Sequence, residues 1–326
     1  MSDRFDLEEP RPRIHARRRR LGRLSVFLIG LTLGLAAGAC VGALGWTLLR
    51  PVLGASVTGP TAPASRTPAA KSLAAAPLAA GPTQALNIAP GKPIVVGVFG
   101  DSMGDGLWQG LYRRLRADKA YQVVRFSQAS TGLTRYGYVD VQRNTADQLA
   151  GQHIDVAVVL FGANDEQDIA SGGVLYPFGG DGWRRIYTGR MDALVALLRA
   201  HGAAVYWVGL PKMKRAEYDR RAGVLNALYQ AQAAVLGVPF VDTVPVTVTP
   251  QGAYDDYLNA EDTGRPRLMR AKDGIHMTPS GYLRLAGPIS ALLQADVAKT
   301  LAGAKAAAGA GVTLAAGPTS FAAPAR

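Results

Sequence analysis

Between residues 93 and 300, short apolar runs alternate with segments whose apolar positions recur at helical spacing. The runs fall at 94–99, 122–126, 155–161, 203–208 and 238–241 and read as strands. After the first, Leu107, Leu111 and Leu115 share one helical face. Met191, Leu194, Val195, Leu197 and Leu198 form a second stripe. Val224, Leu225, Leu228, Ala231 and Val235 form a third, which ends at Gly237. A last helix is predicted from Thr278-Pro279 through Leu283 and Leu292. Strands alternating with helices predict a parallel sheet covered on both faces. The expectation is an α/β protein: a flavodoxin-like three-layer α/β/α sandwich with a five-stranded parallel sheet in the order 2-1-3-4-5. Ligands then sit outside the strand carboxyl ends, where strands 1 and 3 diverge.

The flanks follow other patterns. Residues 24–49 are 26 consecutive uncharged positions, preceded by Arg17-Arg18-Arg19-Arg20 and Arg23. A run of that length spans about 30 Å of hydrocarbon. The basic cluster on its N-terminal side predicts residues 1–23 in the cytoplasm and the bulk of the chain outside. Gly30, Gly34, Gly38, Gly42 and Gly45 include the small-xxx-small spacing of helix–helix faces. A cleaved signal peptide is the alternative, since Ala36-Ala37-Gly38-Ala39 supplies small residues. Lipidation at Cys40 is another, because Ala37-Gly38-Ala39-Cys40 resembles a bacterial lipoprotein box without its leucine. The apolar run continues to Leu49 and favours an uncleaved signal anchor. Residues 50–92, rich in Ala, Pro, Thr, Ser and Gly, read as a tether, and 301–326 as a disordered Ala/Gly/Pro tail.

Charge changes the picture little. The formal net charge is +12, but residues 1–23 hold eight Arg against four Asp/Glu, which leaves +8 elsewhere. No basic block interleaved with aromatics follows, so nucleic acid is not an expected partner. Cys40 is the sole cysteine, so the domain at 93–300 has neither a disulfide framework nor a thiol site.

Candidate chemistry collects at the strand carboxyl ends. Ser102, in Gly100-Asp101-Ser102-Met103-Gly104, stands where strand 1 yields to a helix. There a serine either caps the helix or stands exposed as a nucleophile beside N-terminal N–H groups. Gly162-Ala163-Asn164-Asp165 follows strand 3, the neighbouring loop in a 2-1-3-4-5 sheet. Asn164 is either a turn residue or an amide aimed at an oxyanion. Strand 2 leads to Ser130-Thr131-Gly132-Leu133, where Gly132 offers a backbone donor. Asp273-Gly274-Ile275-His276 precedes the last helix, and an Asp three residues before a His can orient its ring as a base. Of the other three histidines, His15 is expected in the cytoplasm, and His153 and His201 near helix ends away from this edge. The G-x-S-x-G pattern also occurs in α/β-hydrolases. That fold is set aside because the serine follows the first strand and the acid lies only three residues before the histidine.

Gly100-Asp101-Ser102, Gly132, Gly162-x-Asn164-Asp165 and Asp273-x-x-His276 together resemble the four blocks of the SGNH (GDSL-type) hydrolase superfamily, over essentially all of 93–300. The resemblance implies Ser102 as nucleophile, His276 as general base and Asp273 as its orienter. It implies an oxyanion hole from Ser102 N–H, Gly132 N–H and Asn164, with no metal or organic cofactor. Block two departs from the family in reading Ser-Thr-Gly-Leu where a Gly-x-x-Asn-type loop is commoner. Trp183, Tyr187, Arg190, Gly209-Leu210-Pro211, Asn226 and the acidic loop before Asp273 resemble a membrane-anchored periplasmic bacterial subgroup of that superfamily. Asp101 and Asp165 are read as structural braces. Segment 166–182, with five glycines, reads as a flexible insertion, a lid or substrate platform. Trp108, Tyr136, Tyr138, Trp183 and Tyr187 are candidates for sugar stacking or for core.

The expected function is a serine esterase or O-acyltransferase of the bacterial inner membrane, single-pass, with its catalytic domain in the periplasm. Its expected partner is an O-acetylated (acylated) envelope or secreted polysaccharide, with contact to polysaccharide-modification machinery. The alternative is a non-catalytic polysaccharide-binding or assembly factor on the same scaffold.

Overall fold

The computed structural model describes residues 86–89 and 91–312. Its elements in order are β1 (Ile94–Gly100), α1 (Ser102–Leu115), β2 (Tyr121–Arg125), α2 (Val141–Leu149), β3 (Val156–Leu160), β4 (Ile169–Ser171) and β5 (Val174–Tyr176). There follow α3 (Asp181–Ala200), β6 (Ala204–Val208), α4 (Ala216–Leu236), β7 (Phe240–Val241), β8 (Tyr257–Asn259), β9 (Pro266–Leu268) and α5 (Pro279–Val312).

The main sheet is β2-β1-β3-β6-β7, parallel throughout, with Val98 opposite Arg125 on one side and Gly100 opposite Leu160 on the other. Counting only its own strands, this is the expected order 2-1-3-4-5. Every residue of β3 and β6 is buried. Both faces of these strands are covered, so they read as continuous apolar runs rather than as alternating ones. One helical layer is formed by α1 against α5, the other by α2, α3 and α4 in succession.

The α1–α5 contact is backbone-close. A Cβ on Gly106 would lie 1.9 Å from Cζ of Tyr282, and one on Gly110 2.2 Å from its carbonyl oxygen. No larger residue fits at either position without driving α5 away from α1.

Several features depart from the sequence expectations. Segment 166–182, read as a flexible insertion, contains the antiparallel hairpin β4–β5, with Ile169 opposite Tyr176. Its glycines are turn residues: Gly172 (φ 58°) and Gly173 (φ 77°) supply the two positive φ angles that a tight hairpin requires. The hairpin is anchored by Phe178 N–H to Asp168 Oδ1 at 2.8 Å and Trp183 Nε1–H to the Gln167 carbonyl at 2.9 Å. Helix α2 and the β8–β9 hairpin arise where no element was predicted. Helix α5 runs to Val312, past the expected boundary at 300, because an alanine-rich segment also has high helix propensity.

Residues 1–23, the anchor at 24–49 with Cys40, the tether up to 85 and the tail beyond 312 lie outside the described residues. Among the described residues, no helix is long and apolar enough to cross a membrane.

Candidate active site

The carboxyl end of the sheet gathers the four singled-out loops. Ser102 opens α1, and its Oγ lies 2.7 Å from Nε2 of His276, 174 residues away in the chain. On the other side of the imidazole, Nδ1 lies 2.6 Å from Oδ2 of Asp273. Pairing Nδ1 with a carboxylate assigns the proton to that nitrogen and leaves the Nε2 lone pair facing the serine hydroxyl.

Local hydrogen bonds fix the acid as well as the base. Oδ1 of Asp273 accepts the N–H groups of Ile275 (2.9 Å) and His276 (3.0 Å). The loop is closed behind them by Ala271 N–H to the His276 carbonyl at 2.9 Å and by a bridge between Arg270 and Met277. Partial burial works to raise the Asp273 carboxyl. The imidazole and the two N–H donors outweigh it and hold the group below its ordinary value, so it stays ionised.

Two buried carboxylates join the loops to one another. Asp101 caps α1 through Met103 N–H (2.8 Å) and accepts Gly162 N–H (3.0 Å) and Ala163 N–H (2.9 Å) on Oδ2. Asp165 accepts Leu133 N–H (3.1 Å), Thr134 N–H (2.9 Å), the Thr134 hydroxyl (2.8 Å) and the Tyr187 hydroxyl (2.8 Å). The serine loop thus grips the Asn164 loop, which grips the Gly132 loop. Burial pushes the Asp101 carboxyl up to about 7, with the nearby Asp165 adding to the rise against the three N–H donors. Burial also raises Asp165, against the donors from Thr134, Tyr187 and Leu133.

The three expected oxyanion donors stand differently. Ser102 N–H, in the first turn of α1, and Gly132 N–H make no hydrogen bond among the described residues. Asn164 Nδ2 donates to the Thr131 carbonyl at 2.9 Å, which commits one of its two amide hydrogens and leaves the second. Gly132 sits flush on the brace, since a Cβ there would lie 2.3 Å from Asp165 Oδ1. Ser130 nearby holds φ 66°, a strained left-handed conformation for a non-glycine residue.

Three supporting residues carry no catalytic motif. Tyr229 shares a 2.7 Å hydroxyl contact with Tyr187, Tyr218 donates to the Ala163 carbonyl at 2.6 Å, and Arg190 to the Leu133 carbonyl at 2.5 Å. Asn226 clasps Leu210 through both its amide atoms, at 2.7 and 2.8 Å. Trp183 and Tyr187 are fully buried core residues, which removes them from the sugar-stacking candidates, whereas Tyr138 is 58% exposed. His153 pairs with Asp155 and His201 with the Leu197 carbonyl, and neither joins the Ser102 cluster. Among the described residues no three His, Cys, Asp or Glu side chains are gathered as metal ligands.

The His276 and Asp273 side chains are 36% and 45% exposed, so the relay lies on an open edge rather than in a deep pocket.

No curated protein matches the chain. Among solved structures it is similar to a GDSL-like lipase from Bacteroides thetaiotaomicron, at 18% identity and TM-score 0.42, over 62% of this chain and 88% of that one. It is similar to the periplasmic domain of a lipopolysaccharide acetyltransferase from Salmonella ser. Paratyphi A, at 9% identity and TM-score 0.46, over 62% and 84%. An acetyl xylan esterase, AlAXEase, matches at 17% identity and TM-score 0.42, over 61% and 98%. The sequence pattern of one family, described as Protein of unknown function (DUF459), matches residues 95–291, and the chain belongs to that family.

Proposed function

We propose that this protein is a serine ester hydrolase or O-acyltransferase of the SGNH type. The observation that carries the reading is the relay Ser102 Oγ–His276 Nε2 at 2.7 Å and His276 Nδ1–Asp273 Oδ2 at 2.6 Å. A helix cap needs no such imidazole, and a pure binding protein needs no carboxylate to orient one.

In this reading Ser102 attacks the ester carbonyl while Nε2 of His276 takes its proton. Asp273 remains ionised and stabilises the imidazolium that forms. The tetrahedral oxyanion is met by the N–H groups of Ser102 and Gly132 and by the second amide hydrogen of Asn164. Collapse expels the alcohol, which takes the proton from His276 and leaves an acyl-serine. Water, or an acceptor hydroxyl, then attacks the acyl carbon as His276 accepts its proton, and Ser102 is released.

The substrate we propose is an O-acetyl group on an envelope or secreted polysaccharide, with the domain held outside the cytoplasmic membrane by residues 24–49. The open edge supports a polymer substrate, because a chain can lie across a site whose acid and base are both exposed. The charge-free run behind its arginine cluster supports the location.

The test is acetate release by the full chain from acetylated envelope glycans, beside turnover of p-nitrophenyl acetate. Release that vanishes in Ser102→Ala supports the reading. Cleavage of lipid esters with no acetate from any glycan overturns the substrate class, and equal turnover in Ser102→Ala overturns the mechanism.

A further inference from the structure

A half-open cavity of about 130 Å³ lies between the last turn of α1, the first turns of α5 and the β8–β9 hairpin. None of its lining residues belongs to the Ser102–His276–Asp273 relay. Arg114, on its α1 wall, follows Ser102 by twelve helical residues, about 18 Å along the axis. An apolar cavity of about 150 Å³ admits benzene, so the space here suits one six-membered ring.

Its charges do not balance. Three guanidinium groups, Arg114, Arg267 and Arg284, line it with two carboxylates, Glu261 and Asp262. Arg114 Nη2 donates to Glu261 Oε2 at 2.5 Å, and Arg267 Nη2 lies 3.5 Å from Asp262 Oδ2. Arg284 has no acid. Its Nε donates to the Val246 carbonyl at 2.5 Å and its Nη1 to the Asn259 carbonyl at 2.8 Å. These bonds leave its charge uncompensated and Nη2 without a partner among the described residues. A guanidinium edge matches a carboxylate in charge and geometry.

The rest of the lining suits a body that is both hydroxylated and carbon-rich. Ser280 brings a hydroxyl, and Glu261 and Asp262 each have acceptor sites beyond the one facing their arginine. The buried Ala260 and Met269, with Leu283, give an apolar wall for ring carbons. One excess positive charge is balanced by a monocarboxylate. A phosphate monoester brings up to two negative charges at pH 7 and is repelled by Glu261 and Asp262.

We propose that this cavity binds a small hydroxylated monocarboxylate with the body of one sugar ring. Its carboxylate lies on Arg284, and its hydroxyls bond Ser280, Glu261 and Asp262. The position links the ligand to the site. Arg284 already holds Asn259 of the hairpin, and the Met269 carbonyl accepts the N–H of Thr278, two residues after His276, at 3.0 Å. An occupant therefore fastens the hairpin to the turn that follows the base. This inference stands apart from the proposed ester chemistry, and its readouts are binding rather than turnover, so either can fail without the other.

The experiment is calorimetric titration of the full chain with D-glucuronate, D-glucose and acetate at constant ionic strength. Glucuronate should saturate one site per chain. Glucose lacks the carboxylate and acetate lacks the ring, so each should bind at least about tenfold more weakly. Arg284→Met should weaken glucuronate by at least about tenfold. No saturable heat with glucuronate overturns the proposal, and so does a folded Arg284→Met protein that binds like the wild type. Glucose or acetate binding as tightly as glucuronate overturns the ligand class. If Arg284→Met does not fold, Arg267→Gln takes its place, since that side chain is 44% exposed. It removes the excess charge and should weaken glucuronate several-fold, and an unchanged affinity overturns the assignment to this cavity.

Discussion

Asp165 binds Thr134 twice through one oxygen: Oδ1 accepts the Thr134 N–H at 2.9 Å and its hydroxyl at 2.8 Å. The other oxygen takes Leu133 N–H and the Tyr187 hydroxyl, so a single carboxylate fixes the loop that contains Gly132. Asp165→Asn keeps one acceptor and turns an NH₂ toward donors. We expect it to cost about 2–3 kcal/mol. Urea unfolding should show a lower midpoint at an unchanged slope, with turnover falling alongside as the Gly132 loop loosens.

The relay itself gives the sharpest test. Ser102→Ala and His276→Ala should each lower p-nitrophenyl acetate turnover at least about 1,000-fold, with circular dichroism unchanged. Asp273→Asn should lose about 100- to 10,000-fold, because the wrong imidazole tautomer then faces the serine. An Asp273→Asn enzyme as active as the wild type would show that the imidazole is held without its carboxylate.

Gly132→Ala probes the close approach to the brace. The added methyl would sit 2.3 Å from Asp165 Oδ1, and a buried carboxylate held by four donors has little room to yield. We expect about 1–3 kcal/mol of destabilisation and a lower kcat at similar KM. A raised KM at unchanged kcat would place Gly132 in substrate binding instead.

Asp101 makes a pH prediction. Its folded value of about 7 lies above the ordinary 3.8, so between these limits the folded protein retains a proton that the unfolded chain has lost. Stability from this group is therefore greatest near pH 4, falls as pH rises to 7, and is level beyond, a change on the order of 2–4 kcal/mol. Asp273 runs the other way in a lower window: its depressed value adds stability above the ordinary 3.8, lost as pH falls through the folded value. Asp101→Asn, although less stable overall, should show a smaller loss of stability between about pH 5 and about pH 8 than the wild type, measured by urea unfolding. An identical loss in both would assign it to other groups.

What the sequence disclosed follows from how each feature is encoded. Strands β1, β3 and β6 were legible because strands covered on both faces are written as uninterrupted apolar runs, and the order 2-1-3-4-5 followed from the alternation of strands with helices. The pairing of Ser102 with His276 was legible from the Asp-x-x-His spacing and the resemblance of four separate blocks to one family, and the structure brings the end of β1 beside the entry to α5. The β4–β5 hairpin was missed because Gly172 and Gly173 look alike in composition whether they confer mobility or satisfy a turn. The β8–β9 hairpin was missed because its three-residue strands lie in a polar, exposed segment with no periodicity to read. Nothing local marks Arg270 as buried, since its surroundings come from Tyr254 and Met277, which only the folded chain brings together. Asn226 and Leu210 were singled out by resemblance alone, and the clasp between them across a strand-to-helix loop leaves no trace in spacing.

The glycine contact between α1 and α5 has a consequence for how such a protein can diversify. Ser102 opens one of these helices and His276 precedes the other by three residues, so their separation is set by Gly106 and Gly110 lying against Tyr282. The β4–β5 hairpin follows the Asn164 loop instead and offers Leu175 to solvent. The spacing of Ser102 and His276 is therefore fixed by contacts in which the hairpin takes no part. The hairpin can be lengthened, shortened or recomposed while that pair keeps its spacing.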